Sequence, residues 1–510
     1  MKIVFRRDIL KLGAGASVLN LTGLKKAFAK DPAATTRFDA NTVREKARKL
    51  ARSAYAAPAQ TLPTQINNLN FDQFRGIEFR SERALWAEDD LYFDVEFFPR
   101  GFLYRPKILM NEVIDGETHP IAYDPDMFKY QDQQLRVTDD LGFSGLRLRC
   151  PLNKDDMKEE CAVFLGASYF RAVAKGQNYG LSARGFANGT GDPKGEEFAL
   201  FREFWLEKPQ PGVKSVVIHA LMDSPSVVGA FHFTIKPGDT TVFDVQTSFF
   251  PRENINKGGI ATLTGMFYFD SNNRHHVDDW RPGAHDSEAL QMWTGERQQL
   301  FRPLNNPIDL QFSAFHDVNP QGFGLMQRRR AFRDFEDLAL FYEKRPSLWI
   351  EPVGNWGEGA VDLVEIPTPN EVNDNVVSFW RPAEPMKLGN EYSYTYRMYW
   401  GWDTPWPTDM ARIGATRIGE VTDHPDARYI VVDFTGKPFE NLPDNASFHL
   451  IWETSAGSVK NVVVESNPNI KGWRTMFEFY PKDAKIAELQ CQLANDQGPV
   501  SEKWIYRWTP

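Results

Sequence analysis

Apolar and polar residues alternate with a period of two along most of the chain, and this pattern predicts β-strands. Residues 392–400, YSYTYRMYW, are the strictest case, because the odd members of this run (Tyr392, Tyr394, Tyr396, Met398 and Trp400) share one face. Residues 214–249 contain three further strand patterns, separated by Asp-Ser-Pro and Pro-Gly-Asp turns. They predict a three-stranded antiparallel meander.

Residues 39–55, DANTVREKARKLARSAY, carry a helical pattern instead. Apolar side chains recur there at helical spacing, with basic residues on the opposite face: Val43, Ala47, Leu50, Ala51 and Ala54. This segment predicts an amphipathic helix ahead of the strands.

A stretch rich in Pro and Asp, GWDTPWPTDM at residues 401–410, interrupts the strand pattern. Beyond it, about 100 residues hold seven short strand candidates, a number that suits an immunoglobulin-like sandwich. The clearest are RYIVVDF, SFHLIWE, VKNVVVES, WRTMFEFYP and EKWIYRW. The long first part exceeds that fold and predicts a larger antiparallel sandwich. We therefore expect an all-β protein with domains at 33–402 and 413–510, joined by a linker at 403–412.

The N-terminal 29 residues differ from the rest of the chain. FRRDILKLG at residues 5–13 places Arg6 and Arg7 before a modest apolar stretch, and AFA at 27–29 supplies a small-x-small cleavage site. The combination predicts a twin-arginine export signal over residues 1–29 and a periplasmic mature protein. The alternative is a basic N-terminus without a signal function. The remaining sequence has no run of roughly 18 apolar residues, so we expect no membrane span.

The net charge of the chain is −9. The predicted signal contains six Lys or Arg and one Asp, a net +5, so the mature chain carries −14. This acidity disfavours nucleic acid and anionic membranes as partners, since both select basic patches. A neutral ligand fits better. Three cysteines leave two alternatives open, a bridge between Cys150 and Cys161 or buried free thiols alongside Cys491.

Carboxylates beside aromatics and amides dominate the candidate chemistry. Aromatic residues make up 13% of the chain, including 14 Trp and 16 Tyr. The sequence lacks a nucleophile elbow, a P-loop, a dinucleotide fingerprint and a zinc-protease motif, so we expect no cofactor and no metal. Aromatic faces and polar side chains suit carbohydrate, and glycoside hydrolysis needs two carboxyl groups.

Three stretches supply candidate residues. Residues 281–293, RPGAHDSEALQMW, place His285 and Asp286 after a Pro-Gly turn and before Trp293. Residues 341–359 gather Tyr342, Arg345, Trp349 and Trp356 around a loop, and residues 371–380, EVNDNVVSFW, contain Glu371 and Asp374. A structural interpretation stands beside the catalytic one, because an Asp at a turn often caps it and a Trp at strand spacing often lies in the core.

Longer motifs resemble a known family, the periplasmic glucan biosynthesis proteins G and D. The matching stretches run in order through nearly the whole mature chain: FRGIEFRSERALW, FLGASYFRAV, YGLSARG, HDSEALQMW, RPLNNP, NPQGFGLMQR, RPSLWIEP, VEIPT and NDNVVSFW. The twin-arginine signal favours the D type. The resemblance implies a large, galactose mutarotase-like β-sandwich with a long cleft, followed by a smaller immunoglobulin-like β-sandwich.

The resemblance also implies an activity and its residues. Members of this family include anomer-inverting endo-hydrolases and transglycosylases of β-1,2-glucan. The E-x-x-D-N motif falls on Glu371 to Asn375, so Asp374 would be the general acid. The H-D-S motif makes Asp286 the base, acting through water. The substrate-binding residues implied or suggested by these stretches are Glu371, Tyr342, Arg345, Trp349, Trp293 and His285.

This chemistry has two requirements. An inverting pair of carboxyls usually lies roughly 6.5–9.5 Å apart, leaving room for water, and a water chain would allow a longer separation. Asp374 must also stay protonated near neutral pH, which burial or the like charge of Glu371 would favour.

Several functions remain open. The chain runs quickly from ARIGATR (411–417) into the next strand, where D-type relatives carry a longer insertion, so the choice between water and a sugar acceptor is undecided. The alternatives are a transglycosylase that cyclises or branches the glucan, a non-catalytic glucan-binding assembly factor, and a lectin-like module for other glycans. The expected partners are β-1,2-glucan chains and a second copy of the chain in a homodimer.

Overall fold

The structure is a computed structural model that describes residues 36–131, 135, 137, 139–274, 277–443 and 446–510. The predicted signal, residues 1–29, lies outside the described residues. Within the described part, no helix is both long and apolar enough to cross a bilayer.

The described residues form 34 strands. The strands up to residue 269 are β1 Thr36–Arg37, β2 Ile77–Phe79, β3 Asp94–Pro99, β4 Leu109–Ile114, β5 Glu117–Pro120, β6 Phe128–Tyr130, β7 Phe143–Cys150, β8 Glu159–Leu165, β9 Tyr169–Ala172, β10 Ser182–Arg184, β11 Ala187–Asn188, β12 Leu200–Glu207, β13 Val216–Asp223, β14 Val227–Lys236, β15 Thr241–Pro251, β16 Gly258–Gly265 and β17 Phe267–Phe269. The later strands are β18 Ala284–His285, β19 Ala289–Trp293, β20 Gln299–Pro303, β21 Gln311–Val318, β22 Gly322–Met326, β23 Ser347–Val353, β24 Glu358–Glu365, β25 Val376–Pro382, β26 Tyr392–Gly401, β27 Arg412–Val421, β28 His424–Thr435, β29 His449–Thr454, β30 Ser458–Asn467, β31 Gly472–Tyr480, β32 Ala487–Asn495, β33 Gly498–Pro499 and β34 Lys503–Trp508.

Short helices accompany the strands. The α-helices among the described residues are α1 Thr42–Ala51, α2 Thr64–Asn67 and α3 Phe71–Arg75. The 3₁₀-helices are Ser81–Arg83, Pro125–Met127, Phe332–Asp334, Tyr342–Lys344, Lys437–Phe439 and Pro468–Ile470.

A sheet of 16 strands forms one layer of the molecule. Its strand order is β1-β5-β4-β12-β13-β14-β15-β26-β23-β22-β19-β20-β34-β32-β29, with β33 beside β32. The predicted meander is confirmed as β13, β14 and β15, and the alternating segment at 392–400 is confirmed as β26. The face of β26 that carries Tyr396, Met398 and Trp400 is buried, as the alternation requires.

A sheet of ten strands packs against the large sheet. Its order is β21-β24-β25-β16-β10-β9-β8-β7-β3, with β11 beside β16. Phenylalanines from the two sheets meet between them: the ring of Phe233 lies 5.3 Å from the rings of both Phe164 and Phe170. These contacts form one continuous hydrophobic core. The predicted all-β sandwich is therefore confirmed.

A second hydrophobic core lies among the C-terminal strands. A four-stranded sheet, ordered β27-β28-β31-β30, covers strands β29, β32 and β34. The five clearest strand candidates beyond residue 412 are all strands, in β28, β29, β30, β31 and β34. Strand β34 pairs in parallel with β20, where Leu300 is opposite Lys503, so the C-terminal strands extend the large sheet. The exact domain boundary at 402 stays a prediction.

Helix α1 confirms the predicted helix but is shorter than the pattern. Val43 and Ala47 pack on the outer face of the large sheet. Its C-terminal end meets Arg252, whose guanidinium donates to the carbonyls of Leu50 (3.2 Å) and Ser53 (3.0 Å). A side-chain donor on the last carbonyls satisfies groups that a helix end leaves unpaired. Arg252 therefore stabilises this end of the helix.

The three cysteines are buried free thiols. Cys150 and Cys161 lie on the paired strands β7 and β8, and burial raises the pKa of the Cys161 thiol well above its ordinary value. The free-thiol alternative is the one that the structure has.

A buried ion pair joins the two large sheets. Arg302 on β20 donates to Glu365 on β24 over 2.9 Å, and both side chains are almost completely enclosed. The second carboxylate oxygen accepts the backbone N–H of Asn305 at 2.6 Å. Burial raises the pKa of Glu365, while Arg302 opposes that rise. The two charges depend on one another, because either one left alone would be buried without compensation.

We expect Glu365→Ala to lower the free energy of unfolding by about 3–5 kcal/mol, since it leaves the Arg302 charge in the core without its carboxylate partner. Chemical denaturation measures this loss. The control is Asp244→Ala, which breaks the half-exposed pair between Asp244 and Arg397 and should cost less than about 1 kcal/mol. Equal losses from the two variants would contradict the role of the buried pair.

Candidate functional site

The candidate site is built around three residues that join the end of β16 to the start of β17, Gly265 to Phe267, here called the central segment. On one side, the N–H of Asn375 donates to Gly265 O (3.0 Å), and Asn375 Oδ1 accepts the N–H of Phe267 (2.8 Å). On the other, the N–H of Asp286 donates to Met266 O (2.8 Å), and Asp286 Oδ2 accepts the N–H of Met266 (3.3 Å). Asp286 itself and Asn375, the neighbour of Asp374, thus hold the same segment.

The local sequence explains this arrangement. A bulge in β16, with Ala261 in the left-handed region (φ 51°), shifts its register against β25 between Ile260 and Leu263. Bulges redirect a strand and the side chains that follow it. Strand β17 then pairs with β18, which brings the chain into Asp286, and β24 and β25 form a hairpin whose loop carries Glu371 and Asp374.

Asp286 is completely buried and forms an ion pair. Its Oδ1 accepts a hydrogen bond from the Arg345 guanidinium, which is itself 1% exposed. Gly180 allows this position for Arg345, because a Cβ at residue 180 would lie 2.8 Å from Arg345 Cβ. The carboxylate of Asp286 is therefore fixed in place and compensated by a positive charge.

Arg345 connects the predicted base to the other candidate residues. Its guanidinium carbon lies 3.9 Å from the centre of the Tyr342 ring, within the range of a cation–π contact. Burial lowers the pKa of Arg345, while the charges of Tyr342, Glu371 and Asp374, among others, oppose that fall. The structure therefore brings Arg345, Tyr342, Glu371 and the two predicted catalytic aspartates together.

Tyr342 begins a short 3₁₀-helix and is held at both ends. The preceding residue, Phe341, has left-handed backbone angles (φ 46°, ψ 55°), which are uncommon for a residue with a side chain. The Tyr342 hydroxyl donates to Glu371 Oε2 over 2.9 Å, and its ring packs 5.8 Å from the ring of Phe335. This bond ties the 341–345 loop to the predicted E-x-x-D-N motif.

Glu371 also binds Arg281, which forms ion pairs with three carboxylates. Arg281 lies 2.5 Å from Glu371, 2.7 Å from Asp279 and 2.9 Å from Asp337. Burial would lower the pKa of Arg281, but these partners and Tyr342 outweigh it and raise the pKa above its ordinary value. Since Arg281 compensates Glu371, the expected repulsion between Glu371 and Asp374 is weakened.

Asp374 lies on the loop between β24 and β25 and is partly exposed. Its charge affects a residue of strand β9. Burial raises the pKa of Tyr169, and the charge of Asp374 adds to this rise, whereas Arg184 on β10 opposes it. The Arg184 guanidinium carbon stands 5.4 Å from the Tyr169 ring centre and bonds Glu196 at 2.7 Å. Asp374 is thus the more accessible of the two predicted catalytic carboxylates, near an aromatic ring and a cation.

His285 is buried in a neighbouring network. Its ring stacks on Phe267 at 5.4 Å, and Nε2 lies 3.6 Å from Asp270 Oδ2 and 3.2 Å from Arg329 Nη2. Burial would raise the pKa of Asp270, but Arg329 and His285 outweigh it and hold the pKa well below its ordinary value. His285 therefore packs against Phe267 of the central segment, and its substrate-binding role stays a prediction.

Trp293 and Trp349 belong to a group of three tryptophans completed by Trp406. The ring of Trp406 lies 5.3 Å from that of Trp293 and 5.6 Å from that of Trp349. Trp349 is fully buried and packs on Gly322, whereas Trp293 is partly exposed. The predicted sugar contacts of Trp293 and Trp349 remain predictions.

Comparison with known proteins adds to this geometry. A family model described as "Periplasmic glucan biosynthesis protein, MdoG" matches residues 38–508. The chain belongs to this family. The family resemblance drawn from the motifs is therefore confirmed, as is the predicted periplasmic location.

Curated relatives cover nearly the full length. A protein named Glucans biosynthesis protein G from Bradyrhizobium diazoefficiens is 46% identical over 506 residues, which are 99% of this chain and 100% of the relative. One from Rhodopseudomonas palustris is also 46% identical, over 510 residues. One from Vibrio cholerae is 44% identical over 484 residues, 94% of this chain and 88% of the relative. These names are of the G type, whereas the twin-arginine signal had favoured the D type.

Sequence reasoning missed several residues that build the site. Arg281 opens the very stretch that contains His285 and Asp286, and Asn375 closes the E-x-x-D-N motif, so both stood inside recognised motifs. Asp337, Asp270 and Arg329 lie outside the candidate stretches and reach the site by tertiary contacts alone.

We expect Asp270→Asn to destabilise the protein at neutral pH by an amount that shrinks in acid. The pKa of folded Asp270 lies below its ordinary value of 3.8, so its stabilising effect is complete above that value and is lost as pH falls through the folded pKa. Urea unfolding at about pH 7 and about pH 3 measures the difference from wild type.

The control for this pH series is Asp483→Asn, which changes an exposed carboxylate. Its difference from wild type should be small at both pH values. A deficit in Asp270→Asn that is unchanged or larger in acid would contradict the assigned network.

Proposed function

We propose that the protein is an anomer-inverting enzyme that acts on β-1,2-glucan in the periplasm, of the endo-β-1,2-glucanase type. One observation carries the proposal: Asp286 and the loop of Asp374, from two separate motifs, flank the same three-residue segment. The family, whose description names glucan biosynthesis, supports the class of substrate. The carbohydrate linkage and the inverting outcome come from the motif resemblance.

In the proposed reaction Asp374 is the general acid. Its partly exposed carboxyl donates a proton to the glycosidic oxygen as the bond from that oxygen to the anomeric carbon breaks. Water attacks the same carbon from the opposite face, which inverts its configuration. The chain that held the anomeric carbon gains a new reducing end from the water, and the other chain leaves with the protonated oxygen as a free hydroxyl, so one water is consumed per bond.

Asp286 is the proposed base and receives the proton of the attacking water. Because it is enclosed and paired with Arg345, it acts through an intervening water, as the motif resemblance implies. Tyr342 is fixed between Arg345 and Glu371 and orients the substrate beside it. Arg345 stabilises Asp286 as an anion, the form that a base requires.

A second candidate is a non-catalytic glucan-binding factor that guides nascent chains during assembly. The complete burial of Asp286 favours it, since an enclosed and compensated carboxylate also fits a structural role. Transglycosylation is a variant of the first candidate in which a sugar hydroxyl replaces the attacking water.

We expect Asp374→Asn to reduce the release of reducing sugar from linear β-1,2-glucan by about 10²–10⁴-fold, because a general acid commonly contributes that factor. A reducing-end assay measures the rate. The matched control, Asp483→Asn, removes an exposed carboxylate and should retain the wild-type rate. Wild-type activity in Asp374→Asn would refute the proposed acid.

The products separate the remaining alternatives. Proton NMR during the first turnovers should show the new reducing ends as the α-anomer, because inversion converts a β-linkage into an α-hemiacetal. Mass spectrometry should show linear chains that have gained one water per cut. Chains that are one water lighter and lack a reducing end indicate cyclisation, and the absence of any product together with glucan binding favours the assembly factor.

A further inference from the structure

A cavity lies beside the chain segment that joins β26 to β27. Its volume is about 380 Å³, which falls in the range of small-molecule sites. The polar and aromatic residues that line it are Gln291, Asp403, Thr404, Trp406, Thr408 and Arg412. Five of the six come from the Pro- and Asp-rich segment and the first residue of β27.

One wall of the cavity presents a buried acceptor. Gln291 is 1% exposed, and its Nε2 donates to Glu502 Oε1 over 3.0 Å, which fixes the direction of the amide. Within the described residues, Gln291 Oε1 accepts no hydrogen bond, and the buried Nε1 of the adjacent Trp293 donates none. Buried polar atoms without partners are costly, so a ligand that supplies hydroxyl groups would gain from binding here.

Trp406 supplies an aromatic surface to the same cavity. Its indole meets Trp349 edge to face (interplanar angle 79°) and is tilted by 55° to Trp293. These two neighbours hold the ring in place, and Trp406 itself remains partly exposed. A fixed indole of this kind offers an apolar face at little entropic cost to binding.

The charges on the remaining wall balance one another. Arg412 binds Asp403 with two nitrogen–oxygen contacts of 2.5 and 2.6 Å, a bidentate pair. The pair still exposes donor and acceptor atoms but carries no net charge, so it does not select an ion. Thr408 adds a hydroxyl, held by a 2.9 Å bond to Gln299. A neutral ligand with neighbouring hydroxyls matches these groups.

The cavity and the site around the central segment are lined by different residues. Gln291 lies five positions after Asp286, on the strand that follows it. Asp286, Arg345 and Tyr342 are not among the residues that line the cavity.

We propose that this cavity is a second glucan-binding site, in which Trp406 stacks on a glucosyl ring while Gln291 and the Asp403–Arg412 pair bind its hydroxyls. The choice of glucan rests on the substrate class of the proposed function, but the site needs neither catalytic carboxylate. It would anchor part of a glucan chain away from the reacting bond.

The test is calorimetric titration of the mature full-length chain with a short, linear β-1,2-linked gluco-oligosaccharide. All proteins carry Asp374→Asn, so that the probe is not consumed. The reference protein should bind at two sites per chain. Trp406→Ala should weaken binding at one of them by about tenfold or more, as is common when a buried tryptophan anchor is truncated.

Two further variants show whether a change in binding comes from the cavity itself or from misfolding. Asp403→Asn keeps the shape of a largely exposed side chain but breaks the charge balance, and it should weaken the same site. Trp452→Ala, which removes an exposed tryptophan on β29, is the matched control and should bind like the reference. Thermal unfolding of every variant shows whether a loss of binding is a loss of fold.

The outcomes distinguish this site from the catalytic proposal. Unchanged stoichiometry and affinity in folded Trp406→Ala and Asp403→Asn overturn the second site and leave catalysis untouched. A single binding event in the reference protein overturns it as well. Loss of one event in both variants supports it, even if the chain with Asp374 restored releases no reducing sugar, in which case only the catalytic proposal fails.

Discussion

The buried pair of Asp286 and Arg345 is the constraint on which the candidate site depends. Both side chains are enclosed, so each charge needs the other, and neither can move without uncovering a charge in the core. Asp286 follows β18 and also binds the central segment, while Arg345 leads into β23 of the large sheet. One interaction therefore fixes the position of two loops, and through Arg345 it places Tyr342.

The network extends outward from buried to exposed groups. Arg345 lies under Tyr342, Tyr342 bonds Glu371, and Glu371 is shared with Arg281. Asp374 stands at the outer end of this series, where it is partly exposed and faces Tyr169 and Arg184. A rigid, compensated interior with an accessible carboxyl at its margin is the arrangement that preorganised catalytic sites use.

Local patterns predicted the elements better than they predicted the site. The alternation at 392–400 identified β26, because one face of that strand is buried and the other is not. The end of helix α1 could not be read from the pattern, and its last carbonyls are bound by Arg252, about 200 positions away. The two short helices at 64–67 and 71–75 are too brief to leave a periodic signal.

The candidate residues illustrate the same limit. Asp286 and Asp374 were selected through motifs, and their shared segment is a consequence of the pairing of β16 with β25 and of β17 with β18, which no local pattern encodes. Arg281 and Asp337 became part of the site only because the loops around them converge on Glu371. The burial of Trp349 likewise depends on Gly322 of a neighbouring strand, which lies 27 positions earlier in the chain.

The parallel pairing of β34 with β20 has a consequence for how the chain reaches this structure. Glu502, immediately before β34, is completely buried and binds Arg328, Gln291 and the backbone of Ile413. Gln291 and Arg328 therefore lack this partner until residue 502 has been synthesised. Sheets closed by such distant segments fold slowly, and their unfinished edges are open to aggregation meanwhile. The large sheet is thus completed by segments about 200 positions apart in the chain.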